Sequence, residues 1–144
     1  MTETTDINGT SPLIRLIQLA GVLQLLIVAM NVPLPRILRY REELAAVSPI
    51  IRQVFIVHSA YIVLMLIGFS ALCFRFAPDL AGDSALGTFL SGCLAVFWGL
   101  RVPIQLCYYD AGLKRRYWIV HGLFTLAIVF MTGLFSFAAL RGMR

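Results

Sequence analysis

The chain has 144 residues, of which 60% are hydrophobic and 13% charged, with a formal net charge of +5 and a mean hydropathy of +0.86. Soluble globular chains are about a quarter charged, so the side chains needed to solvate a water-facing surface are missing and a soluble monomer is excluded. The same composition excludes intrinsic disorder, and no stretch remains from which a large aqueous catalytic module could be built.

In chain order, residues 1–11 read as a polar, mobile tail, and Asn8-Gly9-Thr10 matches a glycosylation sequon too short to carry weight by itself. A bilayer core of about 30 Å needs roughly 20 mostly apolar residues per helix, and four windows qualify. The first spans 12–32, with Ser11 as N-cap, Pro12 at the first helical position, where its missing N–H costs nothing, and Pro33 and Pro35 as terminators. It has neither the basic start nor the small-residue cleavage pattern of a signal peptide, so it is expected to persist in the mature protein. Residues 36–47, RILRYREELAAV, place Ile37, Leu38, Leu44 and Ala45 on one helical face and predict a short interfacial helix with its arginines against anionic headgroups.

The second window spans 49–76 and repeats the Ser-Pro opening at Ser48-Pro49. The third spans 84–109 with Asp83 as its expected cap, and the fourth spans 117–140. The fold expected is all-α integral membrane: an antiparallel four-helix transmembrane bundle forming a single domain over 12–144.

Basic residues in short loops resist translocation. Seven lie on one side: Arg36, Arg39, Arg41 and Arg52 between the first two helices, and Lys114, Arg115 and Arg116 between the last two. The other side has Arg15, Arg75, Arg141 and Arg144. Both chain ends are therefore expected outside the cytoplasm, in a bacterial inner membrane, and the bias argues against dual insertion. Topology accounts for the positive charge without nucleic acid.

An ionisable or polar side chain at membrane depth is a functional hypothesis by default. The polar residues concentrate in VHSAY, FWGLRVPIQLCYYD and YWIVHG. Gln53, His58, Tyr61, Met65 and Gly68 share about 140° of arc on the second helix. Trp98, Arg101, Gln105, Tyr108 and Tyr109 form one stripe on the third, continued by Ser91 and Gly87, while Tyr117, His121, Thr125, Thr132 and Ser136 share a face of the fourth. At 1.5 Å per residue, His58 lies roughly 13 Å from Pro49, Arg101 roughly 13 Å from Asp110 and His121 roughly 8 Å from Arg116. All three fall in the cytoplasmic leaflet, so a polar pocket formed by His58, Tyr61, Trp98, Arg101, Gln105, Tyr108 and His121 is expected. Pro103 frees the carbonyl of Gly99 and predicts a kink beside Arg101, although snorkelling of Arg101 to the interface is the competing reading.

On the first helix Gln24 and Asn31 are expected to hydrogen-bond across helices, and Gly21, Gly68, Gly92, Gly99, Gly122 and Gly133 to mark close packing. Cys73, Cys93 and Cys107 are too dispersed for a redox pair or zinc site and read as buried small residues. No span has a central carboxylate, and no P-loop, nucleotide fingerprint, GxSxG or HExxH occurs.

Three readings follow. The pocket holds an anionic or carbonyl-bearing amphiphile, a lipid headgroup or quinone, with Arg101 supplying charge, Gln105 and the tyrosines hydrogen bonds, and a histidine a route for proton transfer. Alternatively the chain is a non-catalytic accessory subunit of a larger membrane complex, or a homo-oligomer, ordered by its polar network. In the third reading His58 and His121 ligate the iron of haem b, with Arg101 on a propionate. Transport fits less well, because only the third helix is visibly broken and no repeat is present. The sequence names no reaction.

Overall fold

The computed structural model describes residues 11–32, 45, 47–82, 84–108 and 118–144, with Tyr108 described in its backbone alone. The tail, Asp83, the basic clusters at 36–41 and 114–116, Tyr109 and Tyr117 lie outside the described residues, as does the expected interfacial helix apart from 45 and 47. Among the described residues the chain is all-helical: α1 (Pro12–Asn31), α2 (Pro49–Arg75), α3 (Ala77–Ala81), α4 (Ala85–Pro103) continued by a π turn (Ile104–Tyr108), and α5 (Trp118–Gly142).

Four segments, Pro12–Asn31, Pro49–Arg75, Ala85–Cys107 and Trp118–Gly142, are long and apolar enough to cross a membrane. At 1.5 Å per residue even α1 reaches about 30 Å, the thickness of a hydrocarbon core.

Local sequence explains where the helices begin. The Ile14 amide donates to Ser11 Oγ at a long 3.4 Å, and the Arg52 amide reaches the Ser48 carbonyl at 3.1 Å, so both Ser-Pro pairs start helices as expected. The third span differs in detail. Its N-cap is Ser84, not the expected Asp83: Ser84 is extended and its Oγ accepts from the Gly87 amide at 3.0 Å. Both residue types make good caps, and the one whose oxygen reaches the amide three residues on takes the role.

Between α2 and α4 lies α3, an element that the hydropathy pattern does not predict. The helix breaks at Phe76, and Pro78 in the first turn resumes it without needing an N–H. Ala77, Leu80 and Ala81 are buried, so this turn is a folded element.

The chain divides into two compact units, residues 1–19 with 76–144, and residues 20–75. In the first, α4 and α5 pack together, with α3 against both. The buried residues of α4 are Gly87, Ser91, Leu94 and Trp98, spaced four, three and four apart, and Gln105 seven further on is also buried. That spacing is the signature of helices crossing at a shallow angle with side chains interdigitated. From α5 come Ile128, Met131, Leu134, Phe135 and Ala138. Contacts pair in reverse order along the two helices: Thr88 against Gly142, Gly99 against Thr132, Gln105 against His121.

Gly87 makes α3 possible. A Cβ there would overlap the Asp79 carbonyl and crowd Ser84 Oγ, so only glycine admits the backbone of α3. Next to it, Ser91 Oγ donates to the Leu80 carbonyl at 3.1 Å, satisfying one of the acceptors that a helix end leaves open.

In the second unit α1 and α2 cross at small residues. A Cβ on Gly21 would lie 3.0 Å from Cys73 Cβ, and Ser70 Oγ donates to the Gly21 carbonyl at 2.9 Å. Gln24 is fully buried beside them, and its Nε2 donates to the Ala20 carbonyl at 3.2 Å and to Cys73 Sγ at 3.4 Å. The bond to Cys73 is the interhelical role expected of Gln24. Asn31 departs from that expectation, because its Nδ2 donates to the Ile27 carbonyl of its own helix at 2.7 Å. Two further corrections concern small residues: nothing lies within 4 Å of a Cβ built on Gly68, Gly92, Gly122 or Gly133, and Cys93 and Cys107 are exposed while Cys73 alone is buried.

Candidate functional site

The polar stripe read from the third span is the face of α4 that meets α5. Trp98 is 2% exposed, Gln105 5%, and Arg101 between them is half-buried. Much of the stripe is therefore helix packing, since Gly87 and Ser91 meet α3 and Leu94 and Trp98 are buried, and what remains unusual is the guanidinium of Arg101.

That guanidinium lies over the Phe124 ring of α5, 6.0 Å from its centroid, at the outer limit of a cation–π contact. Such a contact offsets part of the cost of a charged group at membrane depth and directs Arg101 to α5. Trp98 stands edge-on to Phe97, with ring centroids 5.4 Å apart and planes at 87°, and its indole N–H is buried without a hydrogen-bond partner among the described residues.

Five residues beyond Trp98 and one before the π turn, at Pro103, helix hydrogen bonding changes. Pro103 has no N–H, so the Gly99 carbonyl loses its α-helical partner. The Ile104 amide bonds back to the Arg101 carbonyl, and Ile104–Tyr108 form a turn of the wider π register. The kink expected from Pro103 is thus a change of helical register, not a simple bend.

On α5, His121 answers this irregularity. Its Nε2 is 3.1 Å from the Gln105 carbonyl, and because a carbonyl only accepts, that nitrogen carries the proton. On the opposite side of the ring, Nδ1 lies 3.5 Å from Thr125 Oγ1, whose hydroxyl donates to the His121 carbonyl at 2.8 Å. Two contacts therefore join α4 to α5 here, Arg101 with Phe124 and Gln105 with His121, the latter beside Thr125. Thr125 lies on the polar face that the spacing predicts. Phe124 is the residue that sequence reasoning misses, since nothing in a lone phenylalanine signals that it will lie under an arginine.

The other sequence-predicted residues lie elsewhere in the chain. His58 and Tyr61 belong to the second unit, where they line a shallow groove on α2 with Gln53, Val54 and Val57. All five are exposed, Tyr61 to 64%. The buried face of α2 is instead Leu66, Ser70 and Cys73. Tyr108 ends the π turn. Among the described residues no group of three or more histidine, cysteine or carboxylate side chains could hold a metal ion.

No known protein family, curated protein or solved structure matches the chain.

Proposed function

We propose that the chain is a multi-pass protein of a bacterial inner membrane, an antiparallel four-helix bundle with both ends outside the cytoplasm, that holds the anionic or carbonyl-bearing head of an amphiphile beside Arg101. A lipid headgroup or a quinone has this chemistry. The observation that carries the reading is half-buried Arg101, its guanidinium set over Phe124 in an apolar helix. A guanidinium presents forked N–H groups that match the oxygens of an acidic or carbonyl headgroup.

The test is to purify the parent and Arg101→Ala in mild detergent and identify the retained lipids and quinones by extraction and mass spectrometry. One amphiphile class enriched over the bulk membrane in the parent, and reduced at least tenfold in a folded Arg101→Ala, is expected. Equal retention by both proteins would overturn the proposal.

A second reading, an accessory subunit of a larger membrane complex, draws on α2. Residues 49–58 are all exposed, among them Arg52, Gln53 and His58. Polar side chains within a span favour protein or water over lipid, so this face suits a neighbouring subunit. Under this reading Gln53→Leu with His58→Leu abolishes copurification of a stoichiometric partner while Arg101→Ala does not. For the haem reading, His121 must give up its bond to the Gln105 carbonyl before Nε2 can bind iron. An absorption spectrum taken before and after dithionite decides that case by the presence or absence of a Soret band that shifts on reduction.

A further inference from the structure

We propose that Pro103 and the π turn form a hinge in the third spanning segment and that His121 latches it through the Gln105 carbonyl. The inference rests on backbone hydrogen bonding and is independent of any ligand at Arg101. Over a few residues the helix passes through three registers. The α-helical bond from residue 103 to Gly99 is absent because proline has no N–H, the Ile104 amide takes the i−3 carbonyl of Arg101, and Ile104–Tyr108 form a turn of the i−5 pattern. Each change removes or weakens a bond that keeps an α-helix stiff, so bending is concentrated here. Sharp bends in helices arise at prolines and π turns for this reason.

A hinge in a membrane helix needs something to fix its angle, since backbone groups freed at that depth require partners inside the protein. His121 reaches a carbonyl of the π turn from the neighbouring helix. Its Nε2–H donates to the Gln105 carbonyl, inside the π turn, at 3.1 Å. Thr125 Oγ1 lies 3.5 Å from Nδ1 but gives its one hydroxyl hydrogen to the His121 carbonyl, so the bond to Gln105 is what holds the ring. α5 continues as regular helix through this region, so the latch ties the irregular segment to a regular one.

The chain has its own reporters before Pro103 and within the π turn. Cys93 precedes Pro103 and Cys107 sits in the π turn, and both are exposed, whereas Cys73 is buried. With Cys73 replaced by serine, nitroxide labels on Cys93 and Cys107 are about 21 Å apart along an ideal helix, a separation that pulsed electron resonance measures. In nanodiscs the parent is expected to give one narrow distance distribution. His121→Ala is expected to at least double its width, and the double variant His121→Ala/Pro103→Ala to narrow it again, because an uninterrupted helix needs no latch. A His121→Ala protein with parental helicity and an unchanged distribution overturns the latch. Should His121→Ala not fold, Pro103→Ala alone decides the hinge: a mean distance moved toward the straight-helix value supports it, and an unchanged mean overturns it.

Discussion

Gly87 and Gln24 show how single residues set this fold. Gly87 faces backbone, the Asp79 carbonyl, which cannot rotate out of the way as a side chain can. Gly87→Ala is therefore expected to destabilise the folded protein by about 2 kcal/mol or more, the upper range for forcing a methyl group into a filled site. Gly68→Ala and Gly122→Ala, where the new Cβ meets nothing, should be neutral or stabilising by up to about 1 kcal/mol, because alanine favours the helix. Titrating SDS into detergent micelles and following helicity compares the three. An equal effect at Gly87 and Gly68 would show that α3 does not bind the chain as described. Gln24 makes the opposite case. It is fully buried, and its Oε1 has no partner among the described residues, so Gln24→Leu removes one unsatisfied acceptor along with two weak donor contacts. Its stability in the same assay should stay within about 1 kcal/mol of the parent, since losing an unpaired buried polar group offsets the lost bonds. A loss well beyond that would make the Gln24–Cys73 contact a principal tie between α1 and α2.

At the scale of elements, caps and breaks govern. Ser84→Ala should cost about 1 kcal/mol in the SDS titration, the usual worth of an N-cap, whereas Ser84→Asp and Ser84→Asn should keep most of the parental stability because each retains a capping oxygen. The spans themselves are legible because length and hydropathy dominate in a membrane: Pro12, Pro49 and the Ser-Pro pairs mark helix starts that local chemistry alone enforces. α3 is not legible, since five residues carry no periodicity and its existence depends on Gly87 and Ser91, outside it in sequence, accepting it. The register change after Pro103 is half legible. A proline announces a broken hydrogen bond, but whether the chain answers with a bend or a π turn depends on what the next helix offers, here His121. The candidate site divides in the same way. Arg101, Gln105 and His121 stand out because each is costly in an apolar helix, while Phe124 is invisible in the sequence as a partner. Gly68, Gly92, Gly122 and Gly133 mislead, because small residues in apolar helices also occur where nothing approaches.

For the whole molecule, the decisive quantity is the asymmetry of positive charge. Seven basic residues flank the loops between the first two and the last two spans, against Arg15, Arg75, Arg141 and Arg144 on the other side. If all four apolar helices span, the chain returns to the side on which it began, and the charge bias is expected to place both ends together. Alkaline phosphatase fused after Arg144 should be exported and active, and the same enzyme fused in the loop before Trp118 should be inactive, with a fluorescent protein giving the reverse pattern. Acidic residues matter little to this rule, so Asp79→Asn should leave the result unchanged. The charge at residues 114–116 should not. Replacing Lys114, Arg115 and Arg116 with glutamine leaves four basic residues on each side, and with no bias the population is expected to divide between orientations, so that both fusions become partly active. A triple variant that keeps a single orientation would show that something other than loop charge, such as the folding of α4 against α5 before insertion is complete, sets the topology.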